Sequence, residues 1–159
     1  MTVEEMQKEI QIMQDQQKEL VFDEFTNDTA WELGCLLVKR AKEQELPVSL
    51  SITANKQRRF YYAFKGSAPT NDHFIARKEN TVYECFKSSY EMTLTAELDT
   101  EHDFMDFWGL DKMQFVMAGG SFPITVKNVG VIGTVTCSGL AQEDDHAFIV
   151  SVLREFLEK

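Results

Sequence analysis

Apolar residues near the N-terminus recur at helical spacing. They are separated by three, four, three and seven positions and are Val3, Met6, Ile10, Met13 and Leu20. This spacing aligns their side chains in one narrow stripe, and most residues between them are polar. We therefore expect an amphipathic helix over residues 1–19. Its stripe has two alternative partners, its own domain or another subunit, and the second would make this helix an assembly element.

Strict alternation of apolar and polar residues predicts a β-hairpin over residues 47–64. Aliphatic side chains alternate with Ser49, Ser51 and Thr53, and after a turn near Asn55 aromatic side chains alternate along residues 59–64. A period of two is typical of a strand with one buried face. We therefore predict two antiparallel strands, of which the first is half-buried.

A second hairpin is predicted over residues 120–138. Its first strand is Ser121–Val126, and Lys127 begins the turn into a glycine-containing strand that ends near residue 137. Proline cannot donate a hydrogen bond to a neighbouring strand, so Pro123 predicts an edge or bulged position.

Three further helices follow from capping residues and apolar rows. The second helix lies between a cap at Asn27 or Asp28 and a stop before Pro47. The third begins within residues 70–72, and the last covers residues 141–157. A strand near Leu20 completes a pattern of strands and helices that predicts one α/β (α+β) domain with helices on both faces of the sheet.

Two segments are less regular. Residues 90–98 alternate as a strand would, yet they carry charges and lack turn residues, so we favour a helix. Asp111 is a suitable helix cap, and Gly119 a suitable helix end. We therefore also expect a short helix between Asp111 and Gly119.

Charge is distributed in blocks. The chain has 159 residues and a formal net charge of −10, which opposes binding to nucleic acid or to anionic membranes. Residues 88–111 carry seven acids and no lysine or arginine, whereas residues 56–87 carry seven basic residues against three acids. The basic segment could face a small anionic ligand, or it could pair with the acidic blocks within the chain or across a subunit contact.

No long apolar run is present, and no basic stretch precedes an apolar one at the N-terminus, so we expect a cytoplasmic protein without a membrane span.

The three cysteines are widely spaced and predict buried thiols rather than a zinc or redox site. The histidines His73, His102 and His146 show no metal-binding spacing. His146 lies beside the core-facing row of the last helix, where a structural hydrogen bond is expected.

Several runs together resemble the uncharacterised-protein branch of the GlcG/HbpS-like haem-degrading-domain superfamily. They are FDEFTNDTAWELG at 22–34, ARKENTV at 76–82, GGSFPI at 119–124, GVIGTV at 130–135, SGL at 138–140, and Asp145-His146. The resemblance covers nearly the whole chain, from about Leu20 to the C-terminus. We expect one domain of this type over residues 1–159. It implies a profilin-like sheet of five antiparallel strands, assembly into homo-oligomers and, in related members, binding or degradation of haem.

One departure concerns the glycine turn. Related sequences often have a histidine before the two glycines, whereas this chain has Ala118. A haem contact would therefore fall to His146. Glycine turns can also present backbone amides to an anion. We accordingly predict a small pocket for an anionic ligand formed by Arg77, Asn80, Gly119, Gly120 and Phe122.

No nucleophile with an adjacent base is evident, because Ser138-Gly139 lacks the GxSxG pattern. Our preferred hypothesis is an oligomeric cytoplasmic protein that binds a small ligand or a partner without evident catalysis. The alternatives are a haem-binding or haem-degrading protein and a structural adaptor subunit.

Overall fold

The computed structural model describes residues 1–158, which form six helices and five strands. The helices are α1 (Val3–Glu19), α2 (Asn27–Glu43), α3 (Pro69–Cys85), α4 (Ser89–Leu98), α5 (Phe104–Phe107) and α6 (Gln142–Leu157). The strands are β1 (Val21–Phe22), β2 (Ser49–Ala54), β3 (Gln57–Ala63), β4 (Ser121–Val126) and β5 (Gly130–Ser138).

The five strands form one sheet in the order β1-β4-β5-β2-β3. The two predicted hairpins, β2-β3 and β4-β5, are confirmed, and they lie side by side because β2 also pairs with β5. The α+β class with a five-stranded sheet is confirmed. The sheet is mixed, however, because β1 runs parallel to β4 instead of antiparallel. No tight turn joins these two strands, so tertiary packing sets their relative direction.

The position of Pro123 is explained by the shortness of β1. This strand pairs only with Thr125 and Val126, so β4 has no outer neighbour beside Pro123. The register with β5 also shifts between Ile124 and Thr125. The predicted edge or bulged position of Pro123 is therefore confirmed.

Helices α2 and α6 cover the apolar face of the sheet. Leu33 and Leu37 of α2 and Ile149 of α6 are buried there against sheet residues such as Leu50 and Phe122. Burying a large apolar side chain stabilises a fold by roughly 1.5–3 kcal/mol relative to exposure. This layer is the main core of the domain.

Helix α3 covers the opposite face, which is lined by hydroxyl groups. The members of this hydroxyl face are between 0% and 7% exposed and are Ser49, Ser51, Thr53, Ser121, Thr134, Thr136 and Ser138. The prediction that β2 is half-buried is therefore wrong, because α3 buries its polar face as completely as α2 and α6 bury its apolar face.

Helix α4 is confirmed where the alternation was ambiguous. It packs among α1, α3, α6 and β4, so Ser89 to Leu94 are all buried and leave no polar face to reveal a helical period. The helix predicted between Asp111 and Gly119 is absent. Asp111 Oδ1 instead accepts a hydrogen bond from the Met113 amide at 2.9 Å, and this segment forms a loop that packs on α3.

Helix α1 packs on its own domain along the predicted stripe. Met6 and Met13 form a second small core with Tyr90 and Leu94 of α4. Within residues 1–158, no helix has the length and apolar character needed to cross a membrane.

Candidate functional site

Arg77 and Asn80, two of the predicted ligand contacts, hold a loop of their own chain. Arg77 Nε donates to the Lys112 carbonyl at 3.1 Å, and Asn80 Nδ2 donates to the Gln114 carbonyl at 2.8 Å. Thr81, one turn beyond Arg77, donates to the carbonyl of residue 116 at 2.8 Å. These side chains therefore fasten the loop after α5 to α3 through three backbone carbonyls.

Gly119 and Gly120 lie beside a buried ion pair. Gly120 has φ +134, and a Cβ there would come within 2.4 Å of the Cys137 carbonyl and 2.8 Å of Lys78 Nζ. Only glycine fits this conformation and this close approach. The Gly119 amide donates to Gln142 Oε1 at 2.9 Å. The turn is thus packed against the protein interior.

Phe122 is completely buried in the apolar core. Its ring lies 5.9 Å from that of His146, and the Tyr90 ring lies 5.3 Å from His146 on another side. Of the five predicted residues, Arg77 and Asn80 both lie on α3 and both donate to the loop after α5, whereas Gly119 and Gly120 lie in the turn before β4. Phe122 follows in β4, but its side chain belongs to the apolar core on the face of the sheet opposite α3.

The ion pair beside Gly120 joins α3 to α6. Lys78 Nζ donates to Asp145 Oδ2 at 3.1 Å and to the Cys137 carbonyl at 3.2 Å. Asp145 Oδ1 also accepts from the Leu140 amide at 3.0 Å. Burial raises the pKa of Asp145, and the Lys78 ammonium opposes that shift. A cleft of about 280 Å³ opens beside this pair, and Ala118 is among the residues that line it.

A second cleft lies on the other flank of α3. This Glu79 cleft has a volume of about 260 Å³ and is lined by Thr53, Lys56, Arg58, Ala76, Glu79, Asn80 and Tyr83. Lys56 of the β2-β3 turn and Arg58 near the start of β3 are both exposed. Tyr83 Oη lies 2.8 Å from Thr53 Oγ1 and accepts from the Lys56 amide at 3.0 Å, so the wall of the cleft is fixed by hydrogen bonds.

Glu79 is the chemically unusual group of this cleft. Burial raises its pKa to about 7, against the opposing effects of a hydrogen bond from Thr134 and the charge of Arg58. Thr134 Oγ1 donates to Glu79 Oε2 at 3.3 Å. A carboxyl group that titrates near neutral pH in a cleft is a candidate for function. It can donate a hydrogen bond when neutral and repel an anion when ionised.

The sequence offered Lys78 as a polar candidate beside Arg77 and Asn80, with pairing to an acid as the alternative, and the structure pairs it with Asp145 of its own chain. Glu79 was not among the candidates, although a signal for both residues was present. They occupy the third and fourth positions after Ile75, and Val82 is the seventh, so both charged residues lie in a core-facing helical row. Charged residues in such a row are seldom fully buried unless they are paired. This row therefore marked a buried polar site beneath α3.

The histidines differ in exposure, because His73 and His102 are exposed and His146 is buried. His146 is 5% exposed, and its Nε2 lies 3.0 Å from Gln16 Oε1, while Nδ1 has no hydrogen-bond partner in the described chain. Burial lowers the pKa of His146 to about 4. Among residues 1–158, no three His, Cys, Asp or Glu side chains are grouped so that they could hold a metal ion.

Comparison with known proteins gives the family. The family described as "Haem degrading protein HbpS-like" matches residues 25–154. The chain belongs to this HbpS-like family. Among the relatives of the HbpS-like chain is a UPF0303 protein of Streptomyces coelicolor, which is 44% identical over 147 residues covering 91% of each chain.

Two solved structures are similar to the HbpS-like chain. The Ybr137w protein superimposes with a TM-score of 0.85 and 27% identity, covering 94% of this chain and 87% of that one. The PduOC:Heme complex superimposes with a TM-score of 0.67 and 16% identity, covering 84% of this chain and 94% of that one. The second likeness concerns the fold alone.

Proposed function

We propose that this HbpS-like chain binds a small organic anion in the Glu79 cleft, without evident catalysis. The observation that supports this function is the position of Glu79, a buried carboxyl group with a pKa of about 7, below two exposed cations, Lys56 and Arg58. The cations attract an anion to the cleft. A neutral Glu79 then donates a hydrogen bond to the bound anion.

The cleft also favours a planar ligand group such as a carboxylate. The Arg58 guanidinium lies over the Tyr61 ring, 4.7 Å from its centre. Lys56 Nζ lies over the Tyr83 ring, 5.7 Å from its centre. Such stacking restricts the guanidinium of Arg58, whose fork of donors matches a carboxylate. Because ionised Glu79 repels an anion, affinity should fall as pH rises above 7.

Calorimetric titration with acetate, lactate, succinate and citrate tests this function. We expect at least one of them to bind at pH 6, and Arg58→Ala to weaken that binding by about tenfold, the loss expected for one charged hydrogen bond. Lys39→Ala removes an exposed cation of α2 on the other side of the sheet and should leave affinity unchanged. Failure of all four anions to bind, or equal effects of the two variants, would contradict the proposal.

The pocket predicted from the sequence remains a separate hypothesis. Asn80 lines the Glu79 cleft, whereas Arg77, Gly119, Gly120 and Phe122 do not, so the two sites can be told apart. If Arg77→Ala lowers carboxylate affinity and Arg58→Ala does not, the ligand lies near Arg77 instead of in the Glu79 cleft.

Haem is the second candidate ligand, because the family is described as haem-degrading and a structural neighbour is a haem complex. His146 does not fit an axial ligand where it lies, since it is buried and its Nε2 contacts Gln16. Titration of the protein with haem, followed by absorbance spectroscopy, tests this second candidate. A Soret shift that disappears in His146→Ala would support haem binding through this residue, and an unshifted spectrum would oppose haem binding.

We also propose that the chain forms a homo-oligomer, as the adaptor alternative also requires. The support is the pair of exposed aromatic side chains at the end of α5, Phe107 and Trp108, whose ring centres lie 5.7 Å apart, since exposed apolar patches often mark interfaces. Native mass spectrometry should show an assembly larger than one chain. A monomeric parent chain would contradict the proposed assembly. If α1 contributes to the subunit contact, deletion of residues 1–18 should reduce the number of subunits.

A further inference from the structure

The two clefts described above flank α3. A third cavity, which is larger than either of them, lies elsewhere in the fold. This Glu91 groove has a volume of about 650 Å³ and is lined in part by Lys18, Val21, Phe86, Lys87, Glu91 and Thr125. Its size lies within the range of small-molecule sites, roughly 300–1,000 Å³. The groove runs between α1, the start of α4 and the end of the β4-β5 hairpin.

Two buried oxygen atoms of the groove residues lack hydrogen-bond partners in the described chain. They are Glu91 Oε2 and Thr125 Oγ1. The Glu91 side chain is 1% exposed, and its other oxygen accepts from Gln14 Nε2 at 3.0 Å and lies 3.9 Å from Lys87 Nζ. A buried acceptor without a partner costs about 1–3 kcal/mol, so a donor supplied by a ligand would recover that loss.

The groove also offers cations and an apolar wall. Lys18 and Lys87 are exposed, and the Phe86 ring is 56% exposed. Phe86 has φ 55 at the end of α3, a left-handed conformation that is rare for a bulky residue. Its carbonyl accepts from Gln17 Nε2 at 2.7 Å, which ties this conformation to α1. The aromatic ring is thus kept beside the groove.

We propose that the Glu91 groove binds a free α-amino acid with an apolar side chain. The ammonium of the ligand donates to Glu91 Oε2 and to Thr125 Oγ1. The carboxylate lies near Lys18 and Lys87, and the side chain packs against Phe86 and Val21. Each of these groups meets a complementary group of the groove, whereas a simple anion would leave the buried carboxylate without a donor. This site is independent of the anion proposed for the Glu79 cleft.

Calorimetric titration of the Arg58→Ala protein, in which anion binding at the Glu79 cleft is weakened, with L-leucine, 3-methylbutan-1-amine and 4-methylpentanoate tests the ligand class. L-Leucine should bind at least about tenfold more tightly than either analogue, since each analogue lacks one charged contact. Arg58→Ala should leave leucine affinity unchanged, which separates this site from the Glu79 cleft. If leucine does not bind, or binds no better than the analogues, the proposal is wrong.

Two variants of the groove test its residues. Thr125→Val removes an unpaired buried hydroxyl, so it should preserve or raise the stability of the free protein while weakening leucine binding about fivefold to tenfold. Glu91→Gln should weaken binding at least as much, whereas Glu97→Gln, an exposed acid on the same helix, should not. Unchanged leucine affinity in Thr125→Val and Glu91→Gln would overturn the assignment. If Glu91→Gln does not fold, Thr125→Val and Lys87→Ala decide the question.

Discussion

At the scale of single residues, the notable feature is that two charged side chains of α3 lie beneath the helix. Lys78 is paired with Asp145, with side chains 4% and 2% exposed. Among residues 1–158, Glu79 has no such cation within ion-pairing distance, and burial raises its pKa to about 7. The two neighbours thus differ in chemistry: Lys78 joins two helices, and Glu79 is able to exchange a proton near neutral pH.

Glu79 should make stability depend on pH. The unfolded chain releases this proton near pH 4.5 and the folded chain near pH 7. Between these values the folded state holds more protons, so the free energy of unfolding falls as pH rises, by roughly 3 kcal/mol in total. Urea denaturation of Glu79→Gln at pH 5 and pH 8 should show a pH dependence smaller by about this amount.

The exposed Glu84 of the same helix supplies the control for this measurement. Glu84→Gln should keep the pH dependence of the parent chain. If Glu79→Gln and Glu84→Gln both match the parent, Glu79 does not titrate between those pH values in the folded protein.

At the scale of elements, α3 holds both the sheet and the loop after α5. The loop lacks the helix predicted between Asp111 and Gly119, and its carbonyls are satisfied by Arg77, Asn80 and Thr81. Local sequence could not reveal this, because the capping signals at the two ends of the segment are also compatible with a turn. Tertiary hydrogen bonds from α3 decide between the two conformations.

Removing one of these hydrogen bonds should loosen the loop. Asn80→Ala leaves the Gln114 carbonyl without its donor, so amide hydrogens of residues 111–118 should exchange faster, by about tenfold for a loss near 1.4 kcal/mol. Hydrogen exchange followed by mass spectrometry measures this. Glu84→Ala, on the exposed side of the same helix, should leave the loop unchanged. Equal exchange in both variants would show that Asn80 does not hold the loop.

Helix α1 is fixed by its apolar stripe, and its two faces should respond differently to substitution. Met13 is 1% exposed in the core shared with α4, whereas Ile12, its neighbour, is 39% exposed. Met13→Ala should lower the free energy of unfolding by about 2–5 kcal/mol, and Ile12→Ala by less than about 1 kcal/mol. Urea denaturation measures both. Equal effects would mean that α1 does not pack on α4 as described.

At the scale of the whole molecule, alternation and capping predicted both hairpins and most of the helices. The sequence could not predict that α3 would bury the serine and threonine face of β2, since a strand shows the same alternation whether its polar face meets water or a helix. The candidate site follows from that burial. Glu79 has its raised pKa only because β2, β5 and α3 enclose it, and those contacts join residues distant in sequence.

The most direct measurement is the number of protons taken up when an anion binds. Calorimetry at pH 7 in two buffers of different ionisation enthalpy, with the tightest-binding carboxylate of the four, gives this number for the parent and for Glu79→Gln. Because half of the Glu79 side chains are ionised near pH 7, binding to the parent should take up about half a proton per anion, and Glu79→Gln should take up none. Binding without proton uptake in the parent, or the same uptake in both proteins, would contradict a role for Glu79 in the site.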